Sequence, residues 1–64
     1  MEDIAQRLKD ARDKKGCSVE EVAKACDITP SAVQNYECGI RVPRDSVKIA
    51  LAKFYGVSVQ KLFF

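Results

Sequence analysis

The sequence predicts an all-α domain of five short helices. Apolar residues recur at spacings of three and four, no period-two run of useful length occurs, and glycine, proline or a capping residue punctuates every segment. With 64 residues, the chain reads as one compact domain spanning 1–64, too short for two.

Ile4, Leu8 and Ala11 recur at i, i+4 and i+7, predicting a first helix over about residues 2–15. It stops at Gly16, with Lys14 and Lys15 in the last turn, where the helix dipole favours cations. Ser18 followed by Glu21 is a capping box, and Val19, Val22, Ala23 and Cys26 line one face of a second helix ending near Asp27. Thr29-Pro30 reads as an N-cap followed by proline at the first helical position, where a missing N–H costs nothing. The third helix runs from there to about Cys38, with Gly39 just beyond. Val42-Pro43 imposes an extended approach to a fourth helix over about 44–55. Its stripe is Val47, Ala50, Leu51 and Phe54, closed by Gly56. Ser58 then caps a last turn or two carrying Val59, Leu62 and Phe63.

Composition removes several function classes. At 47% hydrophobic and 31% charged residues, the chain is too apolar and too balanced for a disordered segment. Its longest apolar run, Ile49 to Ala52, falls far short of the roughly 20 residues that span a bilayer. Met1-Glu2-Asp3 opens with acids and has neither a basic region nor an apolar stretch, so no secretory signal is expected. A cytoplasmic location and no membrane partner follow. Cys17, Cys26 and Cys38 cannot all pair within one chain, so reduced thiols are expected. With no histidine and no Cys-x-x-Cys pair, neither a metal site nor a histidine-activated nucleophile is supported. Gly16, Gly39 and Gly56 stand too far apart for a phosphate loop. No catalytic residue, cofactor or metal is expected, and the chain reads as a non-enzyme.

Charge is unevenly spread within the net +2. Residues 1–32 carry six basic and seven acidic side chains, and residues 33–64 carry five and two, giving −1 and +3. The second half therefore holds the cationic surface, compatible with a polyanion. Residues 19–38 contain two short helices separated only by Asp27-Ile28-Thr29. So tight a connection needs a small residue where the helices meet (Ala23), a residue tolerant of left-handed backbone (Asp27), and apolar wedges (Ile28, Val33). This is a helix-turn-helix unit.

A set of motifs extends the pattern over essentially the whole chain: Arg-Leu-Lys-x-Ala-Arg (Arg7 to Arg12), Lys-Gly-x-Ser-x-Glu-Glu-Val-Ala (Lys15 to Ala23), and Ile-Thr-Pro-Ser-Ala-Val (Ile28 to Val33). Tyr-Glu-x-Gly (Tyr36 to Gly39), Pro43 and Ile-Ala-Leu-Ala-Lys-Phe-Tyr-Gly-Val-Ser (Ile49 to Ser58) complete it. Together they resemble the lambda-repressor-like, Xre-type helix-turn-helix family. The resemblance implies a compact five-helix DNA-binding domain whose third helix enters the major groove while the second crosses the backbone. Asp27 stands where the family usually has glycine, and Cys38 where it often has a polar or basic residue near phosphate.

On the third helix Val33, Tyr36 and Glu37 share the inward side, leaving Pro30, Ser31, Gln34, Asn35 and Cys38 outward. The resemblance places base-reading positions at Pro30, Ser31, Gln34 and Asn35. Gln and Asn bond bidentately to adenine, and the face holds no carboxylate to repel DNA. Phosphate contacts are expected from the amides around Ser18 and Val19, and from Thr29, Cys38, Arg41 and Arg44. Arg44 is notable because a cation at a helix N-terminus opposes the dipole. An ion pair between Arg12 and Glu37 is expected, since unlike charges on facing apolar stripes are tolerated when they meet, and the resemblance implies the same pairing. Cys17 and Cys26, where the family usually has leucine, are expected in the core.

Three function classes remain open. The leading one is a sequence-specific transcriptional regulator, a repressor, of double-stranded DNA. An antitoxin or restriction-controller protein would use the same DNA contact, and a protein-interaction module would have kept only the fold. A single such domain covers about 600–1,000 Å² of DNA, little for a selective regulator. A homodimer on a palindromic operator is therefore expected, its contact including Val57, Phe63 and Phe64. Phe64 lies off the core stripe and otherwise faces water.

Overall fold

The computed structural model describes residues 4–64. Over this span the chain forms α1 (Ile4–Lys15), α2 (Val19–Cys26), α3 (Pro30–Glu37), α4 (Asp45–Tyr55) and α5 (Val59–Phe63), with no strand among the described residues. The expected start of the first helix, at residue 2, lies outside them.

Local chemistry sets each boundary. Gly16 takes a left-handed φ of 73°, and its N–H donates to the carbonyls of Arg12 (2.9 Å) and Asp13 (3.2 Å), closing α1. The capping box of α2 is complete: Ser18 Oγ accepts from the Glu21 N–H at 3.2 Å, and Glu21 Oε1 accepts from the Ser18 N–H at 3.0 Å. Thr29 Oγ1 accepts from the Ala32 N–H at 3.1 Å, with Pro30 first in α3. Ser58 Oγ does the same for α5, accepting from Lys61 at 3.0 Å. α4 differs: its N-cap is Arg44, whose side chain makes no capping bond. A guanidinium has no acceptor to offer an N–H, and Arg44 keeps extended backbone (φ −72°, ψ 167°), so the helix begins at Asp45, within a residue of expectation.

The core gathers one stripe from each helix: Leu8 of α1, Val22, Ala23 and Cys26 of α2, Val33 of α3, Leu51 and Ala52 of α4, and Leu62 and Phe63 of α5. α2 packs on α3 and α4, α1 on α3, α4 and α5, and α4 on α5. Burying a Leu, Val or Phe side chain is worth about 1.5–3 kcal/mol, so this shared core rather than any single helix holds the fold. Cys26 joins it, and Cys17, half-buried in the α1–α2 loop, packs against its edge rather than within it. Pro43 is buried and pins the α3–α4 loop.

Candidate nucleic-acid interface

The α2–α3 connection positions the candidate site. Asp27 closes α2 in the left-handed region (φ 58°, ψ 44°), and the next N–H, of Ile28, returns to the Ala23 carbonyl at 2.9 Å. Ala23 is buried, so α2 approaches α3 with no bulk between them. Ile28 packs against the core and Val33 lies within it, which fixes the roll of α3.

That roll leaves Pro30, Ser31, Gln34 and Cys38 exposed. Asn35 departs from the expected outward position: it is half-buried. Gly39, just beyond α3, takes a left-handed φ of 77° and closes the helix: its N–H donates to the Tyr36 carbonyl at 3.3 Å, and the Ile40 and Arg41 N–H groups donate to the Asn35 carbonyl at 3.0 and 3.3 Å. Ile40 and Val42 stand exposed on either side of Arg41.

Arg12 ties the unit together. Its Nε donates to Glu37 Oε2 at 2.8 Å and its Nη2 to Glu37 Oε1 at 3.1 Å, a bidentate pair. Its Nη1 donates to the Cys17 carbonyl at 3.2 Å. The two side chains are 19% and 8% exposed. The hydrogen bond to Glu37 holds the guanidinium pKa above its ordinary value, against the opposing effect of burial. One guanidinium thus joins the end of α1, the residue before the cap of α2, and the last residue of α3. Ser18 and Cys38, each one residue beyond these anchors, are brought to the same edge. The Cys17 carbonyl was missed from sequence because a backbone acceptor leaves no side-chain signature.

The expected phosphate-contacting positions are open to varying degrees. Ser18, Thr29, Cys38, Arg41 and Arg44 are exposed and Val19 is half-buried. The Ser18 N–H, however, is already taken by the Glu21 carboxylate, which leaves the Val19 and Glu20 amides as the first-turn donors without a helical partner.

At the other end of the chain, Phe63 is 4% exposed and belongs to the protomer's own core, so it offers little to a second copy. Phe64 is 75% exposed. Its N–H still donates to the Gln60 carbonyl at 2.8 Å, and the Lys48 ammonium stands 5.2 Å from its ring centroid. Val57 is half-buried. No group of His, Cys, Asp or Glu among the described residues is arranged to hold a metal ion, and no helix among them is long and apolar enough to cross a membrane.

A buried two-helix corner, presenting a short helix with hydroxyl and amide side chains and followed by exposed arginines, defines a DNA-binding helix-turn-helix protein. A family model described as helix-turn-helix matches residues 8–62. The chain belongs to this family, the Xre-type, lambda-repressor-like helix-turn-helix regulators, and its five helices fit that fold. No curated protein gives a significant match.

Proposed function

We propose that the chain is a sequence-specific transcriptional repressor that lays α3 in the major groove of double-stranded DNA, working in the cytoplasm as a homodimer on a palindromic operator. The outward face of α3 carries this reading. Ser31 and Gln34 are exposed there with no carboxylate among them, and Gln presents the donor–acceptor pair that matches adenine N6 and N7. Asn35, half-buried, takes a secondary part, and Pro30 supplies the helix start and an apolar contact. Val19, Thr29, Arg41 and Arg44 flank this face as phosphate anchors, with Ser18 and Cys38 at its edge. Repression is the simplest output of so small a domain, since occupying an operator excludes other proteins without a further surface. An antitoxin or restriction-controller protein would use the same contact and differ in its partner.

Selecting bound sequences from random double-stranded DNA tests the reading. A palindromic consensus with half-sites about 34 Å apart is the expected result, and no enrichment over the starting pool would overturn it. Base reading and phosphate anchoring should also separate by mutation. Gln34→Ala should lose about 1–3 kcal/mol on the selected site and little on random DNA. Arg44→Ala should weaken both and flatten the salt dependence by roughly one unit, because one fewer counterion is released. Equal losses for Gln34→Ala on selected and random DNA would remove it from base reading.

A further inference from the structure

We propose that the groove between α1 and the α4–α5 corner docks an acidic amphipathic helix from a partner protein. The groove has a volume of about 920 Å³ and is walled by α1, Tyr55, and residues of the Val57 to Leu62 segment. No residue of α2 or α3 lines it, so it is separate from the face assigned to DNA.

Its chemistry is that of a helix-binding groove. The floor is apolar, with half-buried Ala11 and Val57, buried Leu62, and the half-buried ring of Tyr55 alongside. The rim carries Arg7, Lys14, Lys15 and Lys61 against Asp10 and Asp13, an excess of two positive charges. Asp10 already accepts a hydrogen bond from Gln6 Nε2 at 2.9 Å, and Asp13 is close enough to Arg12 to act on its ionisation. Lys14, Lys15 and Lys61 are exposed, and the Lys15 ammonium rests 4.9 Å from the Phe54 ring centroid. Neither α1 nor α5 reveals this from sequence alone, because Lys14 and Lys61 are far apart in the chain and become neighbours across one cleft only in the fold.

The charge pattern selects the occupant. Lys14 and Lys15 sit at the C-terminal end of α1, whose dipole disfavours a compact anion such as phosphate. Carboxylates spread along a helix reach the lysine tips on either rim while its apolar stripe covers the floor, which is the helix-in-groove mode of recognition. A second copy of this chain fits poorly. It carries net +2, and its acid-bearing helix start, Glu20-Glu21 of α2, has its apolar face spent on the core.

The test uses the full ¹⁵N-labelled chain without DNA, titrated with a synthetic helical peptide bearing leucines on one face and glutamates on the other. Amide shifts are expected at Ala11, Lys14, Val57 and Lys61, with Ser31 and Gln34 unmoved. The double variant Lys14→Glu/Lys61→Glu should weaken binding about tenfold or more, since both rim charges reverse. Both side chains are exposed, so the variant should still fold, its melting temperature lowered by several degrees because each substitution removes a cation from a helix's last turn. A peptide with the same leucines and lysine in place of glutamate should not bind. The proposal fails if the acidic peptide shifts α3, Arg41 and Arg44 instead, if the charge-reversed chain binds equally well, or if the peptide-free chain self-associates through these groove residues. Because no DNA is present, the first two outcomes leave the proposed operator binding untouched, and the third would move the proposed dimer contact from Phe64 to the groove.

Discussion

Arg12 is the residue on which three parts of the molecule depend. Both partners of its ion pair could be read from sequence, as unlike charges on stripes that had to face each other; the bond to the Cys17 carbonyl could not. Glu37→Ala would leave a mostly buried guanidinium with that carbonyl as its remaining acceptor among the bonds described. The expected loss is about 3 kcal/mol, the low end for breaking a buried pair because Arg12 keeps some solvent contact. Urea unfolding near neutral pH measures it, and a midpoint equal to the parent's would mean that the pair contributes nothing. Tyr55 offers a second test at this scale. Burial, reinforced by the nearby Glu37 charge and opposed by Arg12, holds its phenol above the ordinary tyrosine range. Ionised tyrosine is therefore favoured in the unfolded chain. The contribution is fully present below about pH 10 and is lost as pH rises beyond that. Tyr55→Phe should remove this part of the alkaline decline, so parent and variant unfolding curves should converge or cross above pH 10. Parallel curves would place Tyr55 in a more open setting than its half-buried position implies.

Among the elements, helix boundaries with a side-chain signature were legible and those without one were not. Ser18, Thr29 and Ser58 each announced a helix start, and each caps it. Arg44 carries no such signal, and the start of α4 was legible only to within a residue. The α2–α3 turn was legible because so few residues connect the two helices, and Asp27 adopts the left-handed backbone required. The end of α3 was legible too, since Gly39 takes the left-handed backbone that lets the Gly39 and Ile40 N–H groups reach the Tyr36 and Asn35 carbonyls. What sequence spacing missed was the partial burial of Asn35, expected to point outward, because such enclosure depends on how neighbouring segments pack rather than on residue identity. The turn itself yields a prediction. A non-glycine residue held left-handed costs about 1–2 kcal/mol, less for Asp than for most, and glycine gives back part of that by being freer when unfolded. Asp27→Gly should raise stability by up to about 1 kcal/mol, some 4–8 °C in melting temperature for a domain of this size. Asp27→Val should lower it. If Asp27→Gly melts below the parent, the carboxylate itself is contributing to the turn.

For the whole molecule, the question is how one domain of this size achieves selectivity on DNA. Its extents are 27 × 24 × 22 Å, less than the roughly 34 Å of one helical turn of DNA. One reading helix of eight residues reaches few bases, whereas two related by a dyad double both base contacts and released counterions. The end of α5 supports the proposed dimer in a modified form. Phe63 is committed to the protomer core and Val57 lines the groove beside α1, which leaves Phe64 as the expected contact. Phe64 continues the α5 hydrogen-bonding pattern and sits under the Lys48 ammonium, so its ring is held in place while three-quarters exposed. Ordering a large apolar ring in water gains little unless another surface covers it. Phe64→Ser should therefore shift the protein toward monomer in analytical ultracentrifugation. It should also weaken binding to a palindromic site far more than to an isolated half-site, while leaving the melting temperature of the monomer nearly unchanged. Should the parent chain stay monomeric at high concentration and bind a half-site as tightly as the palindrome, the dimer is wrong, and selectivity would have to come from α3 and its flanking arginines alone.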